Sequence, residues 1–125
     1  MRPFLFTVFT LLIISCNKND DVIFVHWNIT KVEGPGTGNI NQQIALTVYW
    51  PYGSGSCDVL DKFVETKQGN IIYIKAYGHT TSGICTADAG IKTKIYDFLS
   101  ASAGTFELRF VNRDNTFISH TIVIA

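Results

Sequence analysis

Three cysteines, Cys16, Cys57 and Cys85, and three histidines, His26, His79 and His120, are the residues of this chain best suited to covalent, metal or acid–base chemistry. Cys57, Cys85 and His79 could offer a zinc site. Zinc ligands usually come in C-x-x-C or H-x-x-x-H pairs on tight turns, and neither spacing occurs. A hydrolytic triad needs a histidine within hydrogen-bond reach of a serine and of an acid such as Asp61 or Asp97. The three histidines fall in or beside separate candidate strands, so only the tertiary fold could assemble one. Gly53-Ser54-Gly55-Ser56-Cys57 lacks the G-x-S-x-G order of a nucleophile elbow. Gly34-Pro35-Gly36-Thr37-Gly38 is not followed by the helix N-terminus that a phosphate loop requires. Asp58 and Asp61 read as acids that keep one strand soluble, because a glycosidase needs two carboxyls facing across a cleft. Asp20 and Asp21 lack the further oxygen ligands that calcium demands. No catalytic residue, metal or cofactor is assigned, and the chain reads as a non-enzymatic protein.

Cys16 has its own setting. Arg2 and the α-amino group supply positive charge, Phe4 to Ile14 form an apolar run of eleven residues, and Ser15 places a small residue before the thiol. The run has the length of a secretory core and is short of the roughly 20 residues a spanning helix needs. Polar Asn17-Lys18-Asn19-Asp20-Asp21 follows at once. This order resembles a bacterial lipobox, in which a peptidase cuts just before a cysteine that takes lipid. The resemblance implies a signal peptide over residues 1–15, an acylated Cys16 with a flexible tether over 16–21, and a domain over 22–125. It implies membrane lipid as a partner and residence at the outer membrane. The acids after the cysteine are similar to the export signal of Bacteroidota-type surface lipoproteins, although Asn19 interrupts the lysine-then-acid order. Each buried methylene contributes about 0.8 kcal/mol, so two or three acyl chains would anchor the domain durably. With Cys16 lipidated, Cys57 and Cys85 remain to pair as a disulfide in an oxidising compartment.

Residues 16–125 suffice for one compact domain. Ten basic residues balance ten acidic ones over the whole chain, and no basic block exists to attract nucleic acid.

Period-two alternation with Gly, Pro, Asn and Asp turns predicts an all-β protein. Ile23 to Thr30 should present Ile23, Val25, Trp27 and Ile29 to one face. Gln43 to Trp50 should bury Ile44, Leu46, Val48 and Trp50 and stop at Pro51, which cannot donate to a ladder. A strand over Cys57 to Thr66, anchored by Val59, Leu60 and Phe63, slips in pattern and suggests a bulge. Gln68-Gly69-Asn70 turns into Ile71 to His79, and Thr80 to Gly90 is irregular. Ile91 to Phe98, Thr105 to Val111 and Thr116 to Ala125 complete about seven strands. That rhythm fits an antiparallel sandwich of immunoglobulin size. The run Ala103-Gly104-Thr105-Phe106-Glu107-Leu108-Arg109-Phe110 resembles the glycine-aromatic hairpin of bacterial immunoglobulin-like domains. With Cys57 and Cys85 before it, the chain is similar to small Bacteroidota-type lipoproteins of mostly unassigned role.

Tyr73 and Tyr77, with Lys75 and His79 in the same row, take the outward phase of their strand, as Tyr49 does on another. Trp50-Pro51-Tyr52 reads as a loop mouth. Aromatic rings with a polar edge suit sugar or protein contacts. The expected function is a lipid-anchored envelope module that binds a glycan or a protein through Tyr73, Tyr77, Tyr49, Trp50 and Tyr52. A small envelope hydrolase built on His79 or His120, and a protease inhibitor acting through end loops such as Gly34 to Gly38, are the alternatives.

Overall fold

The computed structural model describes residues 22–53, 55–86 and 89–125. The expected signal segment, the expected lipidation site Cys16 and the expected tether lie outside the described residues. Among the described residues nine strands form two sheets: β1 (Val22–Trp27), β2 (Lys31–Glu33), β3 (Thr37–Gly38), β4 (Ile44–Tyr52), β5 (Asp58–Gln68), β6 (Ile71–Thr81), β7 (Gly90–Phe98), β8 (Gly104–Val111) and β9 (Phe117–Ile124). The larger sheet runs β1-β6-β8-β9-β3 with β5 beside β6, and the smaller runs β2-β4-β7. Their inner faces share one core of Ile44, Leu46, Val48, Trp50, Tyr96 and Phe98 against Leu60, Ile72, Ile74, Leu108, Phe110 and Ile122. The all-β sandwich reading holds.

Four details differ from the sequence reading. The count among the described residues is nine because two short strands are added, β2 just before the Gly34–Gly38 breaker on the small sheet and β3 formed by its last two residues on the large one. The chain crosses between the sheets at Gly34-Pro35-Gly36, and a side chain on Gly34 would run into Leu46. The pairing is mixed: β3 lies parallel to β9, and β6 parallel to β8, while the remaining pairs are antiparallel. Pro51 does not end β4, which continues to Tyr52 with Pro51 opposite Ile91. Beyond the end of β2 one side of β4 is open, so an absent N–H is tolerated there. Ile23 sits on the expected inward phase yet is 59% exposed, because the start of β1 runs past the core.

The bulge falls where the pattern slips, between Leu60 and Lys62 at Asp61. It brings both Leu60 and Phe63 inward and leaves Val59 partly in solvent. Gly69 adopts φ 61° in the β5–β6 hairpin, the left-handed region that favours glycine. Cys57 and Cys85 form a disulfide with Cα atoms 5.5 Å apart, tying the loop before β5 to the segment after β6. Both sulfurs are thereby withheld from a metal.

Asp58 is not a solubilising acid. It is 3% exposed, and its carboxylate accepts from Gly53 N–H at 2.8 Å and from the Thr80 hydroxyl at 2.6 Å. A buried charge persists where such donors satisfy it. Asp58 therefore closes the 53–57 loop onto β6.

Candidate functional site

The strand β6 is the spine of the candidate site. One edge pairs with β5 along its length, while the other is shared by β8 at Ile71–Ile74 and β1 at Ala76–Thr81. This arrangement gathers the outward phases of five strands onto one face. Thr66, Tyr73, Arg109 and Ser119 lie in successive register across it, and Lys62, Tyr77 and His26 do so higher up.

Two shallow grooves flank the spine. The lower, of about 460 Å³, is lined by Thr66, Gln68, Tyr73, Lys75, Val111, Asn115 and Phe117. The upper, of about 510 Å³, is lined by Phe24, Asp61, Lys62, Val64, Tyr77 and Gly78. Arg109 packs against two residues that line the lower one, Phe117 and Tyr73. Its guanidinium carbon lies 4.7 Å from the Phe117 ring centroid and 5.6 Å from that of Tyr73, and Nη2 donates to Glu107 at 3.0 Å. Hydrogen bonding to Glu107, helped by its negative charge, raises the Arg109 pKa further. A flat cation between two rings makes an amphipathic platform.

Beside the upper groove, His79 Nδ1 lies 2.5 Å from Oδ2 of Asp61, which lines it. The structure thus pairs a histidine with an acid, yet among the described residues no serine hydroxyl bonds to that histidine. His26 Nε2 bonds to the Val111 carbonyl at 2.8 Å, stacking its ring beside Tyr77 at 5.1 Å. His120 Nε2 bonds to the Pro35 carbonyl at 2.9 Å and holds the crossing loop. The histidines are separate and do not form a cluster.

The five aromatic candidates do not share one place. Tyr73 and Tyr77 stand together on the outer face of the large sheet. Tyr49 is on the outer face of the small sheet, where its hydroxyl donates to Glu33 at 2.9 Å and Lys31 lies 5.5 Å from its ring. The hydrogen bond to Glu33 raises the Tyr49 pKa, and bonds from Lys31 and Tyr49 lower that of Glu33. Trp50 is not at a loop mouth. It is 3% exposed and packs on Trp27 with ring centroids 4.9 Å apart. Tyr52 takes the same inward phase, with Lys92 Nζ 4.5 Å from its ring centroid. Because β4 runs through Pro51, the alternation that buries Trp50 reaches Tyr52 as well.

Phe24, Val64, Arg109 and Phe117 belong to the face and were not singled out from the sequence. Phase alone would have marked Phe24 and Arg109 as outward. That they stand beside Tyr77 and Tyr73 follows from β1 and β8 sharing one edge of β6, which no local pattern encodes. Comparison with family models, with curated proteins and with solved structures found no significant match, so the functional argument rests on this chain's own residues.

Proposed function

We propose that this protein is a lipid-anchored module of the bacterial envelope, held at the outer membrane through acylated Cys16, that binds a glycan on the outer face of its large sheet. The observation that carries this reading is the lower groove. Tyr73 and Phe117 flank the Arg109 guanidinium, and Thr66, Gln68, Lys75 and Asn115 surround them. Rings that stack on the apolar face of a sugar, ringed by amides, a hydroxyl and an ammonium, match the alternating apolar and hydroxyl faces of a pyranose. A protein ligand uses the same rings but prefers a larger, drier centre than this polar-rimmed groove offers. A hydrolase reading would draw on His79 and Asp61, and would still need a nucleophile within reach of that pair.

The test has two arms. Labelling with a fatty-acid analogue should mark the wild type and miss Cys16→Ser, and equal labelling of both would remove the anchor. A glycan array should show binding that Tyr73→Ala with Phe117→Ala abolishes at unchanged fold. An array silent for the wild type, with a protein captured through the same two rings, would replace glycan by protein.

A further inference from the structure

We infer that the end of the domain at which β1 begins is a membrane-seating surface, with Val22, Ile23, Phe24 and Ile84 entering the interfacial layer of the bilayer that carries the anchor. This inference rests on the lipid-anchored reading above. Antiparallel pairing sets Val22 opposite Thr81, and Ile84 follows three residues later in the segment fastened by the Cys57–Cys85 disulfide. Four apolar side chains therefore share one end of the sandwich. Phe24 is 84% exposed and Ile84 fully so, with Val22 and Ile23 more than half exposed. Phe24 also lines the upper groove, but most of its ring surface is left over for another partner. Single exposed apolar residues are ordinary, whereas a cluster marks an interaction surface.

The bilayer is the occupant that chain length selects. Five residues, 17–21, separate Cys16 from Val22. Fully extended, that connection spans at most about 20 Å. The acyl chains thus keep this patch permanently near the headgroups, at an effective concentration no soluble partner matches. Charge agrees with the choice: β1 and residues 82–86 contain no Asp, Glu, Lys or Arg. Residues 17–21 carry Asp20 and Asp21 against Lys18 alone, and this negative balance makes zwitterionic lipid a better match than anionic lipid. Seating would also aim the binding face. Tyr73 lies eight residues below Thr81 on β6. That is about 27 Å along the strand, so the lower groove would stand clear of the bilayer and face sideways.

The test uses the mature protein acylated at Cys16 in phosphatidylcholine vesicles, with and without brominated acyl chains. Phe24→Trp and Ile84→Trp report on the patch, and Phe117→Trp reports on the distant groove. Trp27 and Trp50 give a background common to all three. The added emission of the first two should shift to the blue and lose at least half its intensity to bromine, while that of Phe117→Trp stays unquenched. Three equally unquenched, water-like signals would overturn the inference. A blue shift without bromine quenching would place another protein chain over the patch and overturn it equally. Vesicle flotation separates the two levels of failure. A protein that does not float defeats the anchor itself, and one that floats with an unquenched patch defeats the seating alone.

Discussion

Lys92 Nζ donates to the main-chain carbonyl of Asp58 at 2.8 Å, joining edge strand β7 of the small sheet to edge strand β5 of the large one. The same ammonium donates to the Gly55 carbonyl at 2.8 Å and lies over the rings of Trp50 and Tyr52. Lower on the same seam, the Tyr96 hydroxyl donates to the Glu65 carboxylate. Among the described residues, neither β5 nor β7 pairs with another strand along that side. Side chains, not a ladder, close the sandwich there. Lysine turned inward on an edge strand also discourages pairing with a second chain.

Lys92→Met keeps the apolar stem and removes both hydrogen bonds. It should destabilise the domain by about 1–3 kcal/mol, because two carbonyls lose their donor and the ring contacts lose their cation. Urea unfolding measures it. A change within about 0.5 kcal/mol, the range of an ordinary surface substitution, would mean that the seam is held elsewhere.

The disulfide acts on the same end of the molecule. Cys57 and Cys85 are 28 residues apart in sequence. Replacing both by serine should cost about 2–5 kcal/mol, read by thermal or urea unfolding against the protein with its disulfide formed. Alkylation without reduction, followed by mass spectrometry, should leave both wild-type sulfurs unmodified. Two alkylated thiols on a protein of native stability would refute the bridge.

Tyr96 makes the seam sensitive to alkali. Burial, and then the hydrogen bond to Glu65, raise its pKa well above the usual tyrosine value of about 10. A raised folded value favours the protonated phenol, so its contribution is complete below pH 10 and is lost as pH rises beyond it. The stability advantage of wild type over Tyr96→Phe should therefore shrink above pH 10. A gap that stays constant to pH 11.5 would place the phenol in an ordinary aqueous setting.

The sandwich is legible wherever alternation and burial agree. Ile44, Leu46, Val48 and Trp50 all turn inward as their spacing requires, and the slip after Leu60 marks the bulge at Asp61. What is not legible is decided by contacts between distant segments. Lys92 occupies an inward phase, and the carbonyls of Gly55 and Asp58 across the seam, with the rings of Trp50 and Tyr52 beneath, make that place tolerable. Asp58 reads as a solvent-facing acid until the 53–57 loop turns the Gly53 N–H onto it. The binding face is half visible for the same reason. Tyr73 and Tyr77 fall on the outward phase of one strand, which spacing reveals, but Arg109 and Phe117 join them through the parallel β6–β8 junction and the β8–β9 hairpin.

Arg109 offers the sharpest check on the groove. Its flat guanidinium is held between Tyr73 and Phe117 while Glu107 fixes one side. Arg109→Lys keeps the charge and loses the planar surface and the fork. Glycan binding should then weaken about 5- to 10-fold, corresponding to about 1–1.4 kcal/mol. Stability should change by less than about 1 kcal/mol, since the position is only partly buried. Tyr49→Phe, on the opposite sheet, should leave binding unchanged although it removes the hydroxyl that donates to Glu33. Isothermal titration of the three proteins against an array-identified glycan measures all of this. If Tyr49→Phe weakens binding and Arg109→Lys does not, the ligand sits on the small sheet and the groove between Tyr73 and Phe117 is not its site.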